Sequence, residues 1–186
     1  MPDSIQFLAI CFYFIFPAYA ANIAPILAKR FNILSRLDLP IDCNARWNGK
    51  PVLGPHKTLR GFVLGTTVAI AVVLSQTLLY PFFPFPTLGL VNYAQINPFL
   101  LGFLLGFGSL LGDSLGSLIK RRIGRAPGES LFGLDQTGMA IVAIASVVWI
   151  YPLSLTTSIA LIAMTFLWHI TAARTAFLLK IRREKW

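Results

Sequence analysis

Two carboxylates and a short run of cations in the second half of the chain have the spacing that phosphate chemistry asks for. Asp113, Ser117, Lys120 and Arg121 stand at i, i+4, i+7 and i+8, so on a helix they share one face. A charged group inside a bilayer costs roughly 2.5–3.5 kcal/mol at the centre, and such groups are functional candidates by default. A plain stop-transfer flank explains Lys120 and Arg121 but gives no reason for Asp113. Further on, Asp135 opens the next apolar segment, and two readings stand. It is an N-cap that accepts backbone N–H bonds, or, together with Asp113, it forms a Mg²⁺ site. Mg²⁺ is usually held by one or two carboxylates plus substrate phosphates.

A second group of polar residues lies in the first half. Residues 29–60 form a basic stretch rich in Gly and Pro, about 30 residues long and without periodicity, and loops of that length are usually functional or disordered. It contains Asp42, Trp47-Asn48-Gly49-Lys50 and Gly54-Pro55-His56-Lys57-Thr58-Leu59-Arg60-Gly61. The Gly49-to-Thr58 part superficially resembles a P-loop, but Lys57-Thr58 does not directly follow the second glycine, which excludes a Walker A motif. Asp42 to Arg46 resembles a CDP-alcohol phosphotransferase signature, but it is one residue short and lacks the downstream aspartates. Asn22 sits in an apolar run between Tyr19 and Pro25, where an unpaired amide is costly, so it must face protein or a water-filled site. Helix-to-helix bonding and ligand contact fit it equally.

These groups are few because the chain around them is very apolar. Its 186 residues are 56% hydrophobic and only 12% charged, against about 25% charged in soluble domains. Mean hydropathy is +0.70. That excludes an ordinary soluble domain, and the aromatic and aliphatic content excludes disorder. A helix needs about 20 mainly apolar residues to cross the hydrocarbon core. Five windows qualify, at about 5–28, 61–82, 98–118, 133–151 and 154–179, the fourth being the weakest. The first lacks the positive flank of a signal peptide and is too long for one. Gly102 and Gly106, and then Gly108, Gly112 and Gly116, recur every four residues, a spacing that lets helices approach closely.

The chain carries 16 Lys+Arg against 7 Asp+Glu, a net +9. Seven of the basic residues fall in 29–60, four in the 119–132 loop and five at the C-terminal end, including Arg174, Lys180, Arg182, Arg183 and Lys185. The N-terminus and residues 83–97 hold none. Positive residues mark the cytoplasmic side. The expectation is therefore a single all-α integral-membrane domain over residues 1–186. It has five transmembrane helices, the N-terminus outside, the C-terminus cytoplasmic and two cytoplasmic loops bearing the active site. Cys11 and Cys43 lie far apart and form neither a disulfide framework nor a zinc spacing.

Gly112-Asp113, Gly116-Ser117, Lys120-Arg121-Arg122, Pro127-Gly128 and Leu134-Asp135-Gln136 together resemble the signature of the CDP-archaeol synthase family. Tyr19/Asn22/Pro25, Pro40-x-Asp42 and Gly54-Pro55-x-Lys57-Thr58-x-Arg60-Gly61 match the same family's earlier motifs, so the resemblance covers nearly the whole chain. The second half also resembles phosphatidate cytidylyltransferases. Cys43 follows Asp42 where the family usually has glycine, and Thr137-Gly138-Met139 stands where a further acidic residue is common. The resemblance implies a multi-pass enzyme of the cytoplasmic membrane that uses Mg²⁺. It would transfer CMP from CTP to an archaetidic-acid-like lipid phosphate bearing geranylgeranyl ethers, giving CDP-archaeol and pyrophosphate.

A phosphate monoester has its second pKa near 6, so the lipid nucleophile is already ionised and no general base is needed. Positioning and charge neutralisation are what remain. The expected assignment gives Asp113 and Asp135 to Mg²⁺, and Lys57, Lys120 and Arg121 to the phosphates. Asn22, Asp42, Thr58, Ser117, Arg122 and Gln136 are expected to contact substrate. His56 is expected to be a solvated loop residue and His169 a packed or interfacial one. The partners expected are CTP, a phospholipid acid and the bilayer, with no nucleic acid and no oligomeric state specified. The alternatives are a cytidylyltransferase for ester lipids, or a non-enzymatic transporter or anionic-lipid-binding protein. A transporter would place polar groups near the midplane in repeated halves, a pattern this chain lacks.

Overall fold

The computed structural model describes residues 3–178. The tail cations Lys180, Arg182, Arg183 and Lys185, and residue 179 of the fifth expected span, lie outside the described residues. Five helices follow one another: α1 (Ser4–Arg30), α2 (Leu59–Leu79), α3 (Pro98–Arg122), α4 (Leu134–Val147) and α5 (Leu155–Leu178). Each of the first three begins on a side-chain cap. Asp3 accepts from the Gln6 N–H, Thr58 from Gly61 and Asn97 from Leu100, at 2.6, 3.2 and 3.1 Å. Helix α3 does not stop at residue 118 but runs on through the basic turn to Arg122.

Four of the helices are long and apolar enough to cross a membrane. The fourth is not. The expected span 133–151 shrinks to 14 helical residues, about 21 Å at 1.5 Å per residue, against a core of about 30 Å. Its helix gives way to turns after Val147, ahead of Pro152, and the residue before a proline avoids helical dihedrals.

Helix α3 is central, packed against α2 on one side and α4 on the other; α1 lies against α2 and α3, and α5 against α4 and α1. The glycines of α3 divide this work. Gly102 and Gly106 lie against Ile70, Ala69 and Thr66 of α2, while Gly108 and Gly112 lie against Ala143, Ser146, Gly138 and Met139 of α4. At Gly112 a Cβ would collide with the Gly138 carbonyl, so this crossing depends on Gly112 lacking a side chain. The core fills the space between with Phe14, Ile15, Val73, Leu101, Leu105, Ala143 and Leu161.

Two prolines inside α1 shape its contact with α2. Pro17 and Pro25 have no N–H to give the carbonyls of Tyr13 and Ala21. Gln76 of α2 supplies the first of these, its Nε2 donating to the Tyr13 oxygen at 2.6 Å from a site that is 3% exposed. At the second, α2 comes so close that a Cβ on Gly65 would stand 2.5 Å from the Ala21 oxygen.

The long loop after α1 is ordered by pairing its ends. Ile41 N–H donates to the Lys57 oxygen at 2.9 Å and Leu59 N–H to the Leu39 oxygen at 2.8 Å. A two-residue hairpin, β1 (Arg46–Trp47) with β2 (Lys50–Pro51), projects from it. Cys43 and Asn44 adopt left-handed dihedrals, φ +50° and +59°, a conformation that glycine takes without cost. The turn survives the Cys43 departure because Asp42 Oδ1 accepts the Asn44 N–H at 3.0 Å.

Candidate active site

The C-terminal ends of α1 and α3 and the N-terminal ends of α2 and α4 meet at the basic end of the bundle, and the scarce carboxylates are there. Asp113 forms an ion pair with Lys57, which the loop pairing delivers at the foot of α2. Asp135 forms another with Lys120, at 2.7 Å. The reading of Asp135 as an N-cap is settled by position. Gly133, at φ +86°, is the cap residue, and Asp135 lies in the first turn with Oδ2 accepting the Leu131 N–H at 3.0 Å. The Gly112–Gly138 crossing sits between the two aspartates, one residue before Asp113 and three after Asp135, and so brings them to one cavity.

That cavity is small, about 100 Å³, and is lined by Asn22, Gly112, Asp113, Gly116, Leu134, Asp135, Met139 and His169. A second, of about 270 Å³, shares Asn22 and Asp113 with it and adds Pro25, His56, Lys57, Thr58, Gly61 and Ser114. A third, of about 670 Å³, shares Pro25, Ile26, His56 and Thr58 with the second and is rimmed by Lys29, Arg30 and Arg60. Shared walls therefore set an order: a basic vestibule, a middle chamber, then the carboxylate cavity. Ile26, in the vestibule wall, is exposed on the outer side of α1.

Asn22 makes the helix-to-helix bond expected of it. Its Nδ2 donates to the Ala18 oxygen at 2.9 Å and to Ser109 Oγ of α3 at 3.0 Å. The residue also stands in the wall between the two inner cavities. Arg121 is 3% exposed, and its Nε and Nη1 have no hydrogen-bond partner among the described residues. A buried cation left unpaired is expensive, so this guanidinium suits an anion. It does not line the three cavities.

Four other expected contacts have their polar groups engaged elsewhere. Ser117 donates to the Asp113 carbonyl at 3.1 Å. Gln136 Oε1 accepts the Gly133 N–H at 2.6 Å and so closes the start of α4. Asp42 holds the loop, accepting from Asn44 and, through Oδ2, from Leu53 N–H at 2.9 Å. Arg122 clamps the hairpin: Nη1 donates to Trp47 O at 2.8 Å, Nη2 to Pro51 O at 2.5 Å, and its guanidinium lies 5.1 Å from the Trp47 ring centroid. Thr58 does both kinds of work, capping α2 while lining the two outer cavities.

Three residues that were not expected in the site line it. His169 reaches the carboxylate cavity from α5. His56 lines both outer cavities. Arg60 is 4% exposed and paired with Asp38 at 3.0 Å in the vestibule. A sequence signal existed for one of them: Thr165 and His169, at i and i+4, are the polar residues of the otherwise apolar 159–170 stretch of α5.

The donor set fits a hard cation in part. Two carboxylates face one cavity, and among the described residues no cluster of three or more His, Cys, Asp or Glu could hold a metal. A Mg²⁺ here would complete its oxygen shell with phosphates and water, its ordinary habit.

Comparison with known proteins bears on what such a site does. A CarS-like family model, described as CDP-archaeol synthase, matches residues 4–186. A CDP-archaeol synthase of Pyrococcus furiosus is 32% identical over 94% of this chain and 96% of its own length. One from Thermococcus onnurineus is 38% identical over 76% and 75%, and one from Halorubrum lacusprofundi 30% identical over 96% and 97%. A solved structure described as an intramembrane enzyme for archaeal membrane lipid biosynthesis superimposes with a TM-score of 0.63. It is 24% identical to this chain, with 87% of this chain and 90% of the other covered, and shares the fold.

Proposed function

The chain belongs to the CDP-archaeol synthase family, and from that premise we propose that it forms CDP-archaeol and pyrophosphate from CTP and an ether-lipid phosphate in the membrane. The observation that carries the site assignment is that two carboxylates, one from α3 and one from α4, face one cavity, each paired with a lysine, Lys57 of the first loop or Lys120 of α3. Asp113 and Asp135 would hold Mg²⁺, which when bound neutralises phosphate charge and orients the triphosphate. Lys57 and Lys120, now paired with those carboxylates, are placed to transfer to phosphate oxygens when a cation takes the aspartates. Arg121 would serve a further phosphate group, and Asn22 and Thr58 would orient what passes between the cavities. Asp42, Ser117, Arg122 and Gln136 act on the site by fixing the loop and the helix ends that carry it.

The lipid phosphate is the nucleophile. Already ionised near neutral pH, it needs no base, in keeping with a site built of lysines, arginines and carboxylates. Its route is the basic vestibule, where Lys29, Arg30 and Arg60 attract the headgroup while the exposed outer face of α1 meets the tails. The topology proposed is five membrane-inserted helices with the basic end cytoplasmic. Both polar loops and the two ion pairs lie at that end, and α4 enters without spanning the full core. The membrane concerned is the cell membrane.

Purified protein in lipid nanodiscs tests the reaction. Radiolabel from α-labelled CTP is expected to enter lipid only with Mg²⁺ and an archaetidic-acid acceptor, and Asp113→Asn or Asp135→Asn to abolish it. Incorporation that survives both substitutions would sink the metal assignment. Pyrophosphate release without lipid would contradict the reaction.

A further inference from the structure

The carboxylate cavity has a wall from α5 as well as from α3 and α4, and His169 is its polar residue. A buried hydrogen bond fixes that wall. Tyr19 and Thr165 hydroxyls lie 2.8 Å apart, and because Thr165 Oγ1 donates to the Leu161 oxygen, Tyr19 is the donor in the pair. Thr165 and His169 are one turn apart on the same face of α5. The Tyr19 ring meets the imidazole edge-on, with centroids 6.5 Å apart. Helix α5 is mostly exposed along its length, so this bond, with the packing of α5 on α4 and α1, sets where the imidazole stands.

We propose that His169 binds the pyrophosphate leaving group. The inference rests on the reaction proposed above and assigns its exit side. Phosphoryl-type displacements run with attacking and leaving oxygens roughly in line. The lipid phosphate arrives through the vestibule and middle chamber, so the leaving group departs at the opposite end of the row of cavities, beside Asp113, Asp135 and His169. A lipid phosphate oxygen forms the new bond to the α-phosphorus. The oxygen bridging the α- and β-phosphorus atoms leaves with the bonding pair, and no proton need move. Imidazole nitrogen suits Mg²⁺ poorly, since that ion prefers oxygen ligands. A phosphate oxygen in this cavity is the partner that such a ring suits, accepting from an imidazole N–H.

Running the reaction backwards isolates this contact. Wild-type protein, given CDP-archaeol, pyrophosphate and Mg²⁺, is expected to regenerate CTP. His169→Ala is expected to raise the KM for pyrophosphate, and the Ki of pyrophosphate as a product inhibitor, by about tenfold or more, the scale of a hydrogen bond to a charged group. The KM for CDP-archaeol should stay near the wild-type value, and His169→Gln, which keeps an N–H donor, should recover most of the loss. Thr165→Val, which removes only the anchor, should show the same pyrophosphate-specific defect in smaller degree. An unchanged pyrophosphate KM in both His169→Ala and Thr165→Val overturns the assignment, as does equal impairment of the Ala and Gln variants. Wild-type protein that makes no CTP would refute the reaction itself and the assignment with it.

Discussion

Replacing Lys57 by methionine should move two affinities in opposite directions. In the structure Lys57 is paired with Asp113, the lysine side chain 18% and the aspartate 45% exposed. A metal ion at Asp113 would compete with that ammonium for the carboxylate. A half-exposed pair of this kind holds together by about 1 kcal/mol, and about 1.4 kcal/mol is a tenfold change in an equilibrium constant. Removing the lysine should therefore tighten binding of a lone divalent cation about five- to tenfold. The same substitution deletes a charged donor to phosphate, on the scale of about 1.5–3 kcal/mol, so kcat/KM for CTP should fall at least tenfold. Titration of purified protein with Mn²⁺, followed by electron paramagnetic resonance in the absence of nucleotide, reads the first quantity. Radiolabel transfer from CTP reads the second. Lys57→Arg should keep metal binding near wild type, and Asp113→Asn should abolish the effect. Mn²⁺ affinity that is unchanged or weakened in Lys57→Met would refute the exchange of partners and leave Lys57 as a loop strut.

Three further outcomes follow from single contacts. Cys43 is exposed and Cys11 buried, so a membrane-impermeant maleimide should label intact cells only after permeabilisation, and Cys43→Ser should erase the signal; labelling of intact cells would invert the topology. Gln76→Leu strands the Tyr13 carbonyl that Pro17 leaves unbonded and should cost about 1–3 kcal/mol in denaturation, with Pro17→Ala restoring much of it; additive losses in the double variant would contradict the pairing. Tyr93 is fully buried, and its hydroxyl has no partner among the described residues. Tyr93→Phe should leave the Tm within a degree or two, whereas Tyr93→Ala should lose about 3–5 kcal/mol.

Much of the fold was readable because lipid makes every polar residue informative. Positive charge confined to alternate loops put both basic loops at one end of the bundle, and the glycine spacing of α3 announced close neighbours on two sides. The length of α4 was less accessible. Its apolar run continues to Tyr151, and hydropathy does not register that the backbone ahead of Pro152 has left the helix. The partner of Gln76 was equally out of reach, since nothing in either segment says that the carbonyl orphaned by Pro17 faces α2.

The site divides along the same line. Asp113, Asp135 and Lys57 stand out by rarity, because an apolar chain has few other reasons to hold a carboxylate. Arg122, Asp42, Gln136 and Ser117 stand in the same motifs, yet their polar atoms close backbone gaps within or between loops. Spacing alone does not distinguish a donor aimed at substrate from one aimed at the nearest carbonyl. For Ser117 and Gln136 the physical difference is reach; Arg122 bonds carbonyls 75 and 71 residues away and differs in closing on backbone rather than on a carboxylate. Ser117 finds a carbonyl four residues back and Gln136 an N–H three residues back, so each is satisfied locally as soon as its helix forms. Lys57 and Lys120 meet only carboxylates brought by another element, 56 and 15 residues away. An ion pair assembled over such distances costs folding entropy, and under the proposed reaction its members are the ones that would change partners when substrate arrives. His169 too is carried to the carboxylates by other elements, through the packing of α5 on α4 and, at Thr165, on Tyr19, 146 residues away.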